Sequence, residues 1–237
     1  GSAGGESNGR STGREAQLER SQLRPGWTTG ACAAAAGRAA WTALLTGAFP
    51  DPVEIDLPHG RRPAFALTQE RLGEGWAMAA ITKDAGDDPD VTQGAVVRAT
   101  LRRGEPGSGV VFRAGEGVGT VTRSGLPLEV GEPAVNPVPR RYIAENIAAA
   151  DREAGGGGAP DVVVTVSIDD GEAIAQRTWN PRIGIVGGLS VLGTTGVVVP
   201  YSCAAWIASI HEGVDVARAT GVRHAAGTTG SSSTATV

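Results

Sequence analysis

The densest group of ionisable side chains lies in residues 81–94, ITKDAGDDPDVTQG. Five of them fall within eight consecutive residues: Lys83, Asp84, Asp87, Asp88 and Asp90. Carboxylates at such short spacing raise one another's pKa, which suits a general acid or base. The spacing of a calcium-binding loop is absent, and Asp-Pro is common in solvated turns. On these residues alone, a solvated turn is favoured over a catalytic loop.

A second candidate is the glycine-rich segment at residues 184–196, GIVGGLSVLGTTG. Glycines after an apolar strand let backbone N–H groups approach a ligand closely. The spacing is similar to that of a phosphate-binding P-loop, but the P-loop lysine is missing, which argues against nucleotide hydrolysis. The G-x-G-x-x-G pattern of dinucleotide sites is also absent. The sequence favours neither of two hypotheses for this segment, a ligand-binding loop or a tight turn whose glycines serve packing.

Two further stretches could hold an anion. Residues 114–141 end in Asn136, Arg140 and Arg141 at the start of a predicted helix, where backbone donors and guanidinium groups could hold a carboxylate. A proline-stiffened loop is the alternative. The stretch RPGWTTGAC contains a Thr-Thr-Gly element that recurs at 194–196 and 228–230. Each copy could bind an anion through N–H and hydroxyl groups, and chance explains the repetition equally well.

The elements that would position these residues form two groups. The first, residues 21–154, combines two helices with short strands separated by turns, which is typical of an α+β domain. One helix is predicted at 28–47, an Ala-rich run between Thr28 or Thr29 and Gly47, and the other at 140–155. The strands are predicted at 53–58, 64–68, 76–82, 96–102 and 109–113.

The second group follows a Gly-rich linker at 155–160 and covers residues 161–237. It opens with DVVVTVSID (161–169), an apolar run that suits a strand buried on both faces of a parallel sheet. The glycine segment and a helix at 202–221 follow. We predict a Rossmann-like α/β domain that is incomplete, with the reaction in the cleft between the two domains. Residues 1–20 have almost no apolar side chains and are predicted to be a disordered tail.

Composition excludes several classes of protein. The net charge is −4, and the basic residues form no run, which argues against nucleic-acid binding. No stretch of 18 apolar residues exists, so we expect no membrane span. Cys32 and Cys203 are far apart in Ala-rich contexts, which predicts buried free thiols in a reducing compartment. With only 3 His, the chain lacks the ligand spacing of a zinc site.

The motifs taken together strongly resemble the CbiD family, the cobalt-precorrin-5B C(1)-methyltransferases of the anaerobic cobalamin pathway. The resemblance covers about residues 22–235. Members of the family continue well past the Thr-Thr-Gly at 228–230, which implies that this chain is shortened at its carboxyl end. The motifs that carry the resemblance are RPGWTTGACAAAAGRAA, ITKDAGDDPDVT, GEGVGTVTRSGL, GEPAVNPVPRRYI, TWNPRIGIVGGLSVLGTTGVVVPYS and ASIHEGVDVARATG.

The resemblance implies a cytoplasmic enzyme that uses S-adenosylmethionine to methylate C-1 of cobalt-precorrin-5B, giving cobalt-precorrin-6A. Cobalt would enter only within the substrate, and no protein metal site is expected. The donor methyl is already activated, so the protein needs no Ser or Cys nucleophile and acts mainly by alignment. The alternative is a catalytically inert corrinoid- or nucleotide-binding fragment.

The resemblance also suggests roles for the candidate residues. The small-molecule corrinoid is the expected partner, with neither nucleic acid nor membrane, and a homo-oligomer is left open. The predicted catalytic residues are Asp84, Asp87 and Asp88. The predicted substrate-binding residues are Thr28, Thr29, Lys83, Asn136, Arg140, Arg141 and Arg182, with Arg177 as a further cation in a matched motif. The predicted cofactor-binding residues are Gly187, Gly188, Gly193, Thr194, Thr195 and Gly196.

Overall fold

The computed structural model describes residues 22–224. The helices in this range are α1 (Thr29–Thr46), α2 (Pro137–Glu153), α3 (Gly171–Ala175), α4 (Asn180–Ile183) and α5 (Cys203–Ala219). The strands are β1 (Gly26–Trp27), β2 (Val53–Glu54), β3 (Ala64–Phe65), β4 (Gln69–Gly73), β5 (Trp76–Thr82), β6 (Val96–Arg103), β7 (Val110–Ala114), β8 (Gly117–Val118), β9 (Thr120–Val121), β10 (Val162–Ile168), β11 (Ile185–Val186), β12 (Gly188–Leu189) and β13 (Val197–Val198). The predicted tail at 1–20 and the Thr-Thr-Gly element at 228–230 lie outside the described residues.

Helix α1 lies at the centre of the core, and local sequence sets both of its ends. Thr28 caps the first turn, because its side chain accepts a hydrogen bond from the N–H of Ala31 at 3.1 Å. Gly47 ends the helix at a φ of 83°, the left-handed conformation that glycine adopts without strain. All residues from 29 to 41 are buried, since the small Ala side chains let α2 and the sheet approach closely. The predicted helix at 28–47 is confirmed.

Among the described residues, the largest sheet has the strand order β4–β5–β6–β10–β7, and α1 packs against β5 and β6. Neighbouring strands are antiparallel except β10 and β7, which are parallel. The predicted strands at 76–82, 96–102 and 109–113 are confirmed to within one residue. Strand β4 was not predicted, because the sequence QERLG is charged and exposed at the sheet edge.

Strand β10 confirms the predicted strand at 161–169 but corrects its setting. It pairs over its whole length with β6, antiparallel, and along most of its length with β7. Burial alternates along it between buried and half-buried positions, so only one face lies fully in the core. The predicted division into domains at 21–154 and 161–237 stays a prediction. The strand assigned to the second domain is part of the same sheet as strands assigned to the first.

Short strand pairs tie residues 185–198 to earlier parts of the chain. Strand β11 pairs with β9, β12 with β8, and β13 with β1. Each pairing involves two residues per strand, and no continuous parallel sheet forms between residues 161 and 224. The mixed α/β character is therefore confirmed. The Rossmann-like second domain is not confirmed, because the strands of this segment complete other sheets rather than one of their own.

Helix α2 packs along α1 and confirms the predicted helix at 140–155. It begins earlier, at Pro137, because proline is well suited to the first position of a helix. The Trp41 Nε1–H donates to Asp151 of α2 at 3.2 Å, and the Arg38 guanidinium pairs with Glu153 at 2.6 Å. These contacts join the two helices at the ends remote from Thr28.

Helix α5 confirms the helix predicted at 202–221 and leaves several apolar side chains exposed, among them Ile207 and Ile210. Cys32 is a buried free thiol, as predicted, and burial raises its pKa to about 12. Cys203 is exposed, which corrects the prediction that both thiols are buried. None of the helices between residues 22 and 224 combines the length and hydropathy required to cross a bilayer.

Candidate functional site

Three segments meet at the amino-terminal end of α1. The N–H of Trp27 donates to the carbonyl of Asp84 at 2.8 Å, and the N–H of Thr28 donates to the carbonyl of Gly196 at 3.0 Å. A Cβ on Gly26 would lie 2.0 Å from the backbone of Ala85, so the first two segments touch directly. The structure thus brings together Thr28 and Thr29, the loop at 83–94 and the glycine segment. We refer to this junction as the α1 junction.

Lys83 is almost fully buried and is neutralised within its own loop. Its Nζ lies 2.6 Å from Asp90 Oδ2 and also donates to the hydroxyl of Thr92. The other oxygen of Asp90 accepts hydrogen bonds from the Thr92 N–H (2.7 Å) and hydroxyl (2.6 Å). Partial burial raises the pKa of Asp90, but the Lys83 charge and these hydrogen bonds outweigh it and leave that pKa lowered. The three side chains form a closed unit that fixes the loop.

The three aspartates predicted to be catalytic also have partners. Asp84 receives two hydrogen bonds from the Arg24 guanidinium, at 2.6 and 3.0 Å, and one from the Gly86 N–H. Asp87 accepts from the Arg24 N–H at 2.6 Å, and Asp88 accepts from the Tyr201 N–H at 2.9 Å. The hydrogen bonds from Arg24 lower the pKa of Asp84 to about 2. The expectation that neighbouring carboxylates raise the pKa is therefore wrong for Asp84 and Asp90.

The glycines of the segment at 187–196 differ in what surrounds them. A Cβ on Gly188 would lie 2.2 Å from the carbonyl oxygen of Gly117, which explains the close approach of β12 to β8. A Cβ on Gly193 would meet Thr28, and one on Gly196 would meet Leu57. Protein contacts therefore account for these three glycines. Gly187 differs, since nothing lies within 4 Å of its Cβ position; its φ is 90°. Of the two threonines, Thr194 is exposed, and Thr195 accepts from the Val197 N–H at 3.2 Å.

The start of α2 adjoins the glycine segment through Asn136, whose N–H donates to the carbonyl of Val191 at 2.9 Å. The Arg140 guanidinium donates to Glu132 (2.9 Å) and to the carbonyls of Val135 and Pro133, so its charge and donors are used internally. Asn136 and Arg140 thus lie beside the α1 junction, with Arg140 in a structural position.

Arg141 and Arg182 lie elsewhere. Arg141 lines a shallow cavity of about 350 Å³ together with Glu145 and residues 158–160. Arg182 projects from α4, where its guanidinium carbon lies 5.0 Å from the centre of the Trp179 ring. No hydrogen bond or ion pair between residues 22 and 224 connects either side chain to α1. The predicted set of substrate-binding residues therefore divides into three places.

Sequence reasoning missed Tyr142, a residue of α2 whose hydroxyl reaches the first turn of α1. A Cβ on Gly30 would lie 2.0 Å from this hydroxyl, so only glycine fits at that position of the helix. The hydroxyl is fully buried and has no hydrogen-bond partner within residues 22–224. Burial raises the pKa of Tyr142 to about 12, and the nearby Thr28 side chain opposes this increase without reaching hydrogen-bond geometry. The signal in the sequence was Gly30 itself, because glycine in a helix weakens it and indicates a close approach.

The amino-terminal end of α1 also has unused backbone donors. The first N–H groups of a helix lack partners within the helix. Here the N–H of Ala31 bonds to Thr28, whereas those of Thr29 and Gly30 have no acceptor in the part of the chain described. Together with the Tyr142 hydroxyl, they are hydrogen-bonding groups on the amino-terminal side of a helix dipole. Such an end suits a carboxylate or phosphate group.

No group of three His, Cys, Asp or Glu side chains in residues 22–224 is arranged to hold a metal ion. The contacts at the α1 junction are hydrogen bonds and ion pairs. The arrangement can therefore bind and orient an anionic ligand through N–H and hydroxyl groups. Burial raises the pKa of both the Cys32 thiol and the Tyr142 hydroxyl to about 12, so neither is ionised at neutral pH.

Comparisons with known proteins agree on one family. The family model described as CbiD matches residues 16–200. A cobalt-precorrin-5B C(1)-methyltransferase from Paramagnetospirillum magneticum is 65% identical over 211 residues, and one from Brucella canis is 62% identical over 216 residues. These alignments cover 89% and 91% of this chain. The chain spans 58% of the length of both relatives.

A solved structure is also similar. It is the crystal structure of a cobalamin biosynthesis protein (cbiD) from Archaeoglobus fulgidus, with a TM-score of 0.57 and 34% sequence identity. The match covers 76% of this chain and 56% of that one. The fold described above is therefore shared with a protein of known structure.

Proposed function

The chain belongs to the CbiD family, and from this premise we propose that the protein is a methyltransferase of cobalamin biosynthesis. It transfers a methyl group from S-adenosylmethionine to C-1 of cobalt-precorrin-5B, giving cobalt-precorrin-6A. The observation that carries this proposal is 65% identity over 211 residues to a protein named cobalt-precorrin-5B C(1)-methyltransferase. We further propose a cytoplasmic location, as suits a biosynthetic enzyme acting on a small-molecule corrinoid.

The proposed reaction does not require a nucleophilic side chain from the protein. S-adenosylmethionine supplies an activated methyl group, and the electron-rich corrinoid supplies the carbon that accepts it. The protein must hold both molecules in line and exclude water. This demand is compatible with a site made of hydrogen-bond donors and packed loops. The roles predicted for Asp84, Asp87 and Asp88 stay predictions. Of the three, Asp84 is poorly suited to proton transfer, since its pKa of about 2 keeps it ionised at neutral pH.

The α1 junction fits a carboxylate-bearing ligand such as the methionine part of S-adenosylmethionine. The Thr29 and Gly30 N–H groups and the orphaned Tyr142 hydroxyl are the donors that would hold the carboxylate. Binding by the glycine segment stays part of the proposal. At Gly187 of this segment, no atom of the described residues lies within 4 Å of the Cβ position, so a ligand has room there.

The site is tested with Tyr142→Phe, which removes only the hydroxyl. We expect the affinity for S-adenosylhomocysteine to fall about tenfold, because a hydrogen bond to a charged group is lost. The free energy of unfolding should change by less than about 1 kcal/mol, since the hydroxyl makes no hydrogen bond with residues 22–224 that could be lost. Isothermal titration and urea unfolding measure the two quantities. Unchanged affinity in a folded variant removes Tyr142 from the site.

The activity is tested by methyl transfer. The protein is incubated anaerobically with S-adenosylmethionine and cobalt-precorrin-5B, and the products are analysed by mass spectrometry. We expect S-adenosylhomocysteine and a corrinoid carrying one additional methyl group at C-1. Reactions without the methyl donor and reactions with the longer relative from Paramagnetospirillum magneticum are the controls. Turnover by the relative alone would assign activity to the longer form.

A second candidate function is favoured by one specific observation, the 58% coverage of the relatives. The chain by itself would then be an inert corrinoid- or nucleotide-binding fragment. Binding of S-adenosylhomocysteine without methyl transfer supports the fragment, and binding with transfer supports the enzyme. The homo-oligomer left open by the sequence can be settled in the same samples by light scattering.

A further inference from the structure

A group of cationic and aromatic side chains surrounds α4, the short helix that directly precedes the glycine segment. We call it the Arg–Trp patch and define it as Arg123, Arg177, Trp179 and Arg182. Trp179 is 56% exposed, and the Arg182 guanidinium carbon lies 5.0 Å from the centre of its ring. The Arg123 guanidinium donates to the Arg182 carbonyl at 3.3 Å. A depression of about 260 Å³, lined by Gln176, Arg177, Thr178, Trp179 and Arg182, opens between these side chains.

Within residues 22–224, no carboxylate forms an ion pair with the cations of the patch. None of the five lining residues is acidic. Salt bridges to Arg123, Arg177 or Arg182 are absent from the described range. Lys83 and Arg140, two other cations predicted to bind substrate, are both paired with a carboxylate. Guanidinium groups that lie close together without a carboxylate attract anions.

The backbone that carries the patch is well anchored. Asn180 is buried and donates from Nδ2 to the Gly188 carbonyl at 3.1 Å. The Thr178 hydroxyl accepts from the Asn180 N–H and donates to the Ala175 carbonyl. Ile183 is buried, and Gly184 ends the short helix in the left-handed conformation. With both inner residues fixed, Trp179 and Arg182 are directed outward from a rigid turn, which favours specific binding.

We propose that the Arg–Trp patch binds the carboxylate arms and part of the ring of the corrinoid substrate, a proposal that rests on the proposed function. Arg177 and Arg182 pair with carboxylates, for which the planar guanidinium is well shaped. The indole and the guanidinium stacked on it provide a flat surface for a conjugated ring. The depression has room for a carboxylate arm but is too small for the macrocycle, so the ring lies across its mouth.

The test is a titration of the chain with cobalt-precorrin-5B in the absence of a methyl donor. Tryptophan fluorescence and corrinoid absorbance are monitored to measure binding. We expect Arg177→Gln and Arg182→Gln each to weaken binding about tenfold. Trp179→Phe should weaken it about threefold and reduce the fluorescence change. Added salt should weaken binding by the wild-type chain more than by the double Arg variant. Arg71→Gln, on the exposed edge strand β4, is the matched control and should bind as wild type does.

The same variants are titrated with S-adenosylhomocysteine, so that the patch and the proposed function can fail separately. Weakened corrinoid binding with unchanged S-adenosylhomocysteine binding supports the patch. Wild-type corrinoid affinity in the double variant overturns it, as does the absence of corrinoid binding by the wild-type chain. If corrinoid binds through the patch while the longer relative shows no methyl transfer, the proposed function fails and the patch stands. The fluorescence of Trp179 is the part of the signal that Trp179→Phe removes. If that part has the spectrum of a buried indole and does not respond to corrinoid, the patch is a protein contact and the proposal is overturned.

Discussion

The loop at 83–94 and the Arg–Trp patch are both dense in charge, yet their charges are used differently. In the loop, Lys83 is buried and pairs with Asp90. Arg24, which lies outside the loop, forms an ion pair with Asp84. In the patch, the guanidinium groups face solvent without an acidic partner in the described range. Charges that neutralise each other hold a loop in place. Charges that remain unpaired on a rigid turn are available to a ligand.

The contrast shows why charge density in a sequence is a poor guide to catalysis. The five ionisable residues of the loop suggested raised pKa values, and the structure lowers the pKa of both Asp84 and Asp90. The decisive quantity is the sign of the nearest partner, which spacing along the chain does not reveal. The following predictions test the contrast, from the largest expected effect to the smallest.

The largest effect is expected for Lys83→Met. This change leaves the partly buried Asp90 without its cation, and we expect the free energy of unfolding to fall by about 3 kcal/mol. Urea unfolding measures the loss. Lys83→Met combined with Asp90→Asn should recover part of it, since no unpaired charge then remains. A loss below about 1 kcal/mol for the single variant would show that Lys83 is not a structural cation.

A smaller loss is expected for Gly188→Ala. The new methyl group would lie 2.2 Å from the Gly117 carbonyl oxygen, so β12 must move away from β8. We expect a loss of about 2 kcal/mol in the free energy of unfolding. Gly157→Ala is the matched control, because open space surrounds that position, and its effect should stay within about 0.5 kcal/mol. Equal effects of the two changes would contradict the packing explanation for Gly188.

How much of the fold the sequence predicts depends on whether the signal is local. Helix α1 was predictable because a capping threonine, an Ala run and Gly47 all lie within it. The place of β10 in the sheet was not predictable, because an apolar run indicates burial but does not indicate which strands pair with it. The Gly-rich segment before β10 suggested a boundary, yet the strand pairs with β6 across about 60 residues of chain.

The candidate site was predictable in part for the same reason. The motifs identified Thr28, the loop at 83–94 and the glycine segment, and the structure brings them together at the α1 junction. Sequence could not reveal that Arg140 is paired, or that Arg182 lies elsewhere. Tyr142 was missed because a tyrosine on a helix face ordinarily signals packing. Its hydroxyl becomes informative only once it is seen to lack a partner.

A small, pH-dependent effect is expected for Asp84→Asn. The pKa of Asp84 is lowered to about 2 in the folded protein, mainly by the Arg24 hydrogen bonds, from about 4 in the unfolded chain. Its contribution to stability is therefore present above about pH 4 and is lost as the pH falls towards about 2. Because the Asp84 side chain is 46% exposed, solvent screens the pair and the loss at pH 7 should be below about 1 kcal/mol. Urea unfolding of the wild type and of Asp84→Asn measures this. The two free energies of unfolding should converge as the pH falls from about 4 to about 2. A difference that stays constant over this range would contradict the ion pair.

The smallest effect is expected where the charges are unpaired. Arg177→Gln combined with Arg182→Gln removes two exposed cations that form no ion pair within residues 22–224. Loss of the stacking on Trp179 lowers stability slightly, and relief of repulsion among the guanidinium groups raises it, so the two effects oppose each other. We expect the free energy of unfolding to stay within about 1 kcal/mol of the wild-type value, and thermal melts at low and high salt measure it. Low salt should favour the variant relative to wild type, because repulsion is screened least there. A loss as large as that of Lys83→Met would mean that the patch, like the loop, is held by partners within the protein, and the contrast between the two regions would disappear.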